Sequence, residues 1–326
     1  MSENTNYFGI DISKDVFDVT GSDSKHYQFK NDLSGFKKFL RLTNKSSHCV
    51  MESTGVYHLR LSYYLYEKGV AVSVENPLSI KRFIQMRLTK IKTDKRDSHM
   101  IYEYAVSSGA ELRLWKGQSG TQIACSQIIG LTNLYTKQAT ALKNKLQTEE
   151  SMGSPCGNVV RSLKRSLKYL KNEIDKLEGS LLELVKQDNQ DLLTRVESIP
   201  GIGRRSGMLL IVLTGGFERF NKASELCSFA GLTPMIRQSG SSIRSRPRIS
   251  KMGNRRLRKT LFMCSLSAKK HNKACRDIFN RIVAKGKSKK VALIAVCNKL
   301  LKQAFALAKS GLIYDQNYRS VLVNLN

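Results

Sequence analysis

Between Leu226 and Arg276 the chain contains no carboxylate at all. A segment of this kind has no internal acid to pair with its cations. Any fold it adopts must turn them outward and bear their mutual repulsion until a polyanion neutralises them. The excess is local: residues 191–326 hold 27 Lys and Arg against 6 Asp and Glu, whereas residues 1–105 hold 16 against 12 and residues 106–190 hold 12 against 8. The whole chain of 326 residues carries a net +29. A solvated basic face or ribosome-style packing on RNA would use the same composition. Binding of a nucleic acid, with release of its counterions, is the reading a cationic block this dense supports best.

The rest of the composition sets bounds. With 41% hydrophobic residues the chain can bury a sizeable core, and its length suits about two domains of roughly 150 residues each. No uninterrupted run of about 18 apolar residues occurs, and the N-terminus lacks an apolar signal core. The seven cysteines, at 49, 125, 156, 227, 264, 275 and 297, form no C-x-x-C pair, which argues against a zinc site or a disulfide framework. A reduced, cytoplasmic protein without a membrane span is expected.

Residues 1–105 alternate between β-like and helical runs. Tyr7 to Ile12, Val16 to Thr20 and His26 to Lys30 are rich in β-branched and aromatic residues and predict a three-strand meander. A helix around Gly35 to Leu42, a strand His48 to Met51, a helix near Leu59 to Glu67 and a strand Ala71 to Val74 follow, with Asn76-Pro77 read as a stop signal. Antiparallel strands followed by βαβ predict a mixed sheet with flanking helices. Further on, Ile128, Leu131, Tyr135, Leu142 and Leu146 recur at helical spacing. After Gly157, Leu163, Leu167, Leu170, Ile174, Leu177, Leu181 and Leu184 alternate steps of four and three, the 3.5-residue period of a coiled coil. That seam closes either on the 123–146 helix or on a second copy of the chain. Met152 to Pro155 marks the turn or linker between the two helices, and from Asp191 onward the pattern is mostly helical.

Four acids stand where acids are costly. Asp11 ends the apolar strand Tyr7-Phe8-Gly9-Ile10, and Glu52 ends Cys49-Val50-Met51 just before Ser53-Thr54-Gly55. Asp94 and Asp97, three apart in Lys92-Thr93-Asp94-Lys95-Arg96-Asp97, open a helix running to about Val106 and share a face. Convergent carboxylates repel unless a divalent cation holds them, and all-oxygen donors suit Mg²⁺. Such a site in a basic protein points to phosphodiester chemistry. Read one at a time, Asp94 is a helix N-cap, Asp97 a dipole-favouring acid, and Asp11 and Glu52 ordinary strand ends. Asp15 and Asp18 are expected to face solvent.

Two pieces of the basic region can meet phosphates. Ile199-Pro200-Gly201-Ile202-Gly203 lies between helical stretches, so its backbone N–H groups and Arg204 and Arg205 suit a helix-hairpin-helix contact; a plain turn is the alternative. Arg237-Gln238-Ser239-Gly240-Ser241-Ser242-Ile243-Arg244-Ser245-Arg246 sets hydroxyls among guanidinium groups, with Arg248, Lys251, Arg255 and Arg256 close behind. From these residues alone a phosphate-gripping loop is favoured over a nucleophile, because no histidine stands near enough in sequence to act as base.

The series Tyr7-Phe8-Gly9-Ile10-Asp11, Met51-Glu52-Ser53-Thr54-Gly55, Lys92 to Asp97, Ile199 to Gly203, and Ala230-Gly231-Leu232-Thr233-Pro234 followed by Ser239-Gly240-Ser241-Ser242 resembles, in order and spacing, the DEDD transposases of the insertion-sequence one-ten family. The likeness covers nearly the whole chain. It implies an α/β N-terminal RNase H-like (RuvC-like) domain over 1–110, a helical coiled-coil segment over 120–190 and a mostly α transposase domain over 191–326. Carried over, the DEDD carboxylates fall on Asp11, Glu52, Asp94 and Asp97, and the nucleophilic serine on Ser239, which reverses the preference stated for that loop. The resemblance further implies Mg²⁺, cutting and rejoining of DNA through a 5′ or 3′ phosphoserine link, a structured bridge RNA pairing with target and donor DNA, and dimers that join as a tetramer. No Walker-type G-x-x-x-x-G-K-[ST] is present, so religation would draw on the covalent link itself. Pilin-type DNA invertases share the motifs, and a site-specific invertase stays open. So do a junction-resolving nuclease using water and a non-enzymatic nucleic-acid binder.

Overall fold

The computed structural model describes residues 5–53, 55–87, 93–235 and 248–317, together with the backbone of 238–239 and 243–244. The chain divides into two compact units, Met1–Gln118 and Ser119–Asn326.

The first unit is built on strands β1 (Asn6–Ile12), β2 (Val16–Thr20), β3 (His26–Lys30), β4 (Ser47–Glu52) and β5 (Ala71–Glu75), in the sheet order β3-β2-β1-β4-β5. The expected meander is there, with β1–β2 and β2–β3 antiparallel and β1–β4 and β4–β5 parallel. Side chains alternate across a strand. Phe8, Ile10, Ile12, Phe17, Val19, Cys49 and Met51 therefore share one face, where they pack with Phe36 and Phe39 of α1 (Leu33–Leu40) and Leu61 and Leu65 of α2 (His58–Glu67). Val50 on the other face packs with Ile80 of α3 (Pro77–Met86) and with Ile101 and Ala105 of α4 (Asp94–Ser108). Asn76-Pro77 does not end the ordered pattern. The Asn76 side chain accepts the Leu78 N–H and Pro77 takes the first helical position, so the pair starts α3.

The second unit is helical. Ser119 and Gln122 form a reciprocal cap that opens α5 (Gly120–Ser151), which packs along α6 (Gly157–Glu197). In the predicted seam Leu170 and Leu181 are buried and Leu163, Leu167, Ile174, Leu177 and Leu184 are half-buried. α6 departs from helical geometry at Asn189, φ −143°. Beyond it, α7 (Arg204–Thr214), α8 (Ala223–Ala230), α9 (Arg255–His271), α10 (Lys273–Ala284) and α11 (Lys289–Ser310) surround one core that includes Leu193, Ile199, Leu210, Leu226, Leu257, Leu261 and Leu300. Gly201, at φ +106°, lies so close to α9 that a Cβ would overlap Ala268. Among the described residues α11 alone has the length and composition to cross a membrane; its Val296, Cys297, Leu300 and Leu301 are instead fully buried in this core. Between α8 and α9 the chain forms short antiparallel pairs, β6 (Pro234–Met235) with β9 (Arg248–Ile249) and β7 (Gln238–Ser239) with β8 (Ile243–Arg244).

Candidate active site

The site starts from strand register. Ile10 of β1 lies beside Met51 of β4 in parallel pairing, so the next residues, Asp11 and Glu52, emerge side by side at the same end of adjacent strands. Alternation turns them away from the Ile10–Met51 face, toward the face that α4 covers. Gly9 makes that covering close: a Cβ there would overlap Tyr102 N and Ser98 O of α4. Thr20 Oγ1 and Ser98 Oγ, 2.9 Å apart, join β2 to the same helix. The first turn of α4 is thereby laid across the carboxylate end of the sheet. Its N-cap is Thr93, whose Oγ1 accepts the Arg96 N–H at 3.2 Å, while Asp94 and Asp97 occupy the first turn. Capping by Thr93 leaves Asp94 free of the structural role that would otherwise account for it.

The four acids share one electrostatic field. Asp11 is raised from 3.8 to about 6, first by burial and then by the negative charges of Asp97, Asp94, Glu52 and Asp18. Among the described residues, no three His, Cys, Asp or Glu side chains are grouped tightly enough to form a ready-made metal cage. The donor set still suits a hard divalent cation, because its donors are carboxylate oxygens and the repulsion that, after burial, helps raise Asp11 is the repulsion a cation would cancel.

One contributor was misread from sequence. Asp18, expected in solvent, is 4% exposed and sits directly across from Asp11 in the β1–β2 pairing. Its Oδ1 lies 2.7 Å from His26 Nε2 and accepts a hydrogen bond from Gln28 Nε2 at 3.1 Å. The alternation Val16-Phe17-Asp18-Val19-Thr20 suggested a wet face, but α4 covers it. The hairpin register opposite Asp11 was the signal that would have found this residue. Asp15 is exposed, as expected.

The remaining predicted residues belong to the second unit. The backbone of Ser239 pairs with Ile243 and that of Gln238 with Arg244. Arg237 and Arg246, and the side chains of Ser239 and Arg244, lie outside the described residues. Arg248, Lys251 and Arg255 are exposed, and Arg256 is half-buried, which lowers its pKa. Arg204 and Arg205 are exposed but already pair with Glu197 at 3.3 Å and Glu178 at 2.9 Å. A nucleic acid meeting them would compete with those carboxylates. Sequence reasoning missed Arg219, whose guanidinium lies 4.3 Å from the Phe229 ring centroid and donates to Leu213 O.

A mixed sheet of order β3-β2-β1-β4-β5, with acids at the ends of the adjacent inner strands β1 and β4 and a helix bringing two more across it, is the arrangement expected of an RNase H-like carboxylate domain. Comparison with known proteins agrees. A DEDD transposase model of the IS110 group, described as "Transposase", matches residues 8–148, and a model described as "Transposase IS116/IS110/IS902 family" matches residues 193–280. These are transposase domains of the IS110, or insertion-sequence one-ten, family, and with the relatives below they indicate DNA transposase or recombinase activity. It is 27% identical over 323 residues to the pilin gene-inverting protein of Moraxella lacunata, covering 95% of this chain and 98% of the relative. It is 24% identical over 330 residues to the transposase for insertion sequence element IS1111A of Coxiella burnetii, covering 89% and 86%. Divalent-metal dependence is a general property of DEDD transposases.

Proposed function

We propose that the chain is a transposase and site-specific recombinase that cuts and rejoins DNA through Ser239, assisted by a Mg²⁺ site formed by Asp11, Glu52, Asp94 and Asp97. The observation that supports the carboxylate site is the register that sets Asp11 beside Glu52 under α4, with Asp11 raised by burial and by the charges of Asp97, Asp94 and Glu52, acids up to 86 positions away in the chain. Bound there, Mg²⁺ would supply charge to stabilise a phosphodiester oxygen. The chain's own groups do the rest. Asp11 and Glu52, fixed on adjacent strands, and Asp94 and Asp97, fixed on one helical turn, offer oxygens held by rigid elements. The Ser239 hydroxyl attacks the scissile phosphorus, the departing strand leaves with a hydroxyl, and the phosphoserine bond preserves the energy for rejoining. The cations Arg204, Arg205, Arg237, Arg244, Arg246, Arg248, Lys251, Arg255 and Arg256 hold the nucleic acid backbone.

The reading extends to a bridge RNA that selects target and donor DNA, to coiled-coil pairing of α5–α6 arms in a homodimer that doubles to a tetramer, and to action in the cytoplasm. A non-coding stretch beside the reading frame whose loops match both the element ends and the insertion site supports the RNA-guided form. Site-specific inversion is the second reading, favoured by the near end-to-end match to proteins named for inverting the pilin gene. Labelled element-end DNA tests the central step. Wild type is expected to leave a protein–DNA adduct on a denaturing gel, and Ser239→Ala to bind without forming one. Nicking that persists in Ser239→Ala overturns the serine route in favour of a nuclease using water.

A further inference from the structure

Beside the carboxylates lies a small cavity to which neither the sequence reading nor the proposed reaction gives a role. About 180 Å³ in volume, it is lined by Thr20, Ser24, His26, Thr93, Lys95, Arg96 and His99. Every one of these side chains can donate a hydrogen bond, and none is a carboxylate. The reason is helical geometry. At 3.6 residues per turn, Lys95, Arg96 and His99 fall on one side of α4 and Asp94, Asp97 and the buried Ser98 on the other. The first turn is thus divided into an acidic side over Asp11 and a donor side over the β2–β3 turn. Both imidazoles are oriented from behind: His26 Nε2 lies 2.7 Å from the buried Asp18, and His99 Nε2 lies 3.2 Å from Glu103. The volume accommodates a phosphate with a few waters, at roughly 30 Å³ per water.

We infer that this cavity is a phosphate clamp, which seats a backbone phosphate of a nucleic-acid strand and leads the adjoining phosphodiester to the carboxylate side of the same helical turn. The identity of the phosphate rests on the reading of the chain as an enzyme that cuts nucleic acid. The anion site itself does not, since it uses no metal and none of the four acids. Lys95 and Arg96 supply the charge and the threonine and serine hydroxyls the directed donors, while the two imidazoles line the wall beside them.

The five histidines, at 26, 48, 58, 99 and 271, make the test site-specific. The full chain with ¹³C-labelled histidine rings, in EDTA at constant ionic strength, is titrated with inorganic phosphate and followed by NMR. The His26 and His99 signals are expected to move together along one saturable curve that His48, His58 and His271 do not follow. Arg96→Ala, an exposed substitution, is expected to weaken the midpoint about tenfold. Competition by single-stranded oligonucleotides of one sequence, as DNA in one arm and RNA in the other, identifies the strand that displaces phosphate. Drift without saturation, signals of His26 and His99 that move independently, or a midpoint unchanged in Arg96→Ala overturns the clamp. The outcome is separable from the proposed reaction: adduct formation can fail while the phosphate curve stands, and the curve can fail while adducts form.

Discussion

Replacing Asp11 by Asn should stabilise the metal-free protein at neutral pH, although the residue stands at the centre of the site. In the unfolded chain Asp11 titrates near 3.8; in the fold, burial and the charges of Asp97, Asp94, Glu52 and Asp18 raise it to about 6. The folded state therefore holds the proton more tightly. Below the unfolded value both states are protonated and no penalty exists; as pH rises through the folded value the stability of the protonated form is lost. A shift of this size corresponds to about 3 kcal/mol above pH 6. Water reaches part of the half-buried carboxyl and screens the repulsion, which reduces the expected gain from Asp11→Asn to about 1–2 kcal/mol. The chain has one tryptophan, Trp115, in the first unit, set edge-on against Tyr63 with ring centroids 4.9 Å apart. Urea unfolding followed by its fluorescence in EDTA reads that unit alone. Asp11→Asn should be more stable than wild type at pH 7.5, and the difference should fall to about a third of that size near pH 4.5 and vanish below the unfolded value of 3.8. An equal difference at both pH values, or a variant less stable at pH 7.5, would refute the reasoning.

Other outcomes follow from the packing. Gly9→Ala places a Cβ against Tyr102 N and Ser98 O, so α4 must lift from the sheet; a loss of about 3 kcal/mol in Trp115-detected unfolding is expected, with loss of adduct formation. Gly201→Ala combines a backbone at φ +106° with overlap on Ala268 and should cost about 2–3 kcal/mol, seen in far-UV circular dichroism melts, with little change in the Trp115 transition. Of seven thiols only Cys156 is exposed, and the Val159 and Asn158 N–H groups at the start of α6 lower its pKa. A colorimetric disulfide reagent should titrate one fast thiol in native protein, and none in Cys156→Ser.

The parts of the fold legible in the sequence are those where local pattern and final environment agree. Val16 to Thr20 and His26 to Lys30 form strands as their β-branched and aromatic residues require, and the seam from Leu163 to Leu184 lies along one helix. Asp11 and Glu52 were visible because an acid after an apolar strand needs an explanation, and register then sets them side by side. Misreadings arose where a distant element changes a local meaning. Asn76-Pro77 has the chemistry of a stop and of a start alike, and only the apolar Ile80 and Ile84 beyond it, packed beneath the sheet, decide for α3. Asp18 reads as wet until α4, nearly eighty residues later, is laid over it; the Thr20–Ser98 hydrogen bond that fixes this spans 78 positions. The donor-lined side of α4 was hidden for a similar reason, since Lys95, Arg96 and His99 become a cavity only when the β2–β3 turn forms its other wall.

Cation binding to the four acids tests the account most directly. Titration of Mn²⁺, as a paramagnetic stand-in for Mg²⁺, into the full chain at pH 7.5 counts bound ions by electron paramagnetic resonance. Wild type should show saturable binding that Asp11→Asn, Glu52→Gln, Asp94→Asn and Asp97→Asn each weaken at least tenfold. Binding that survives unchanged in two or more of these variants would contradict a shared site.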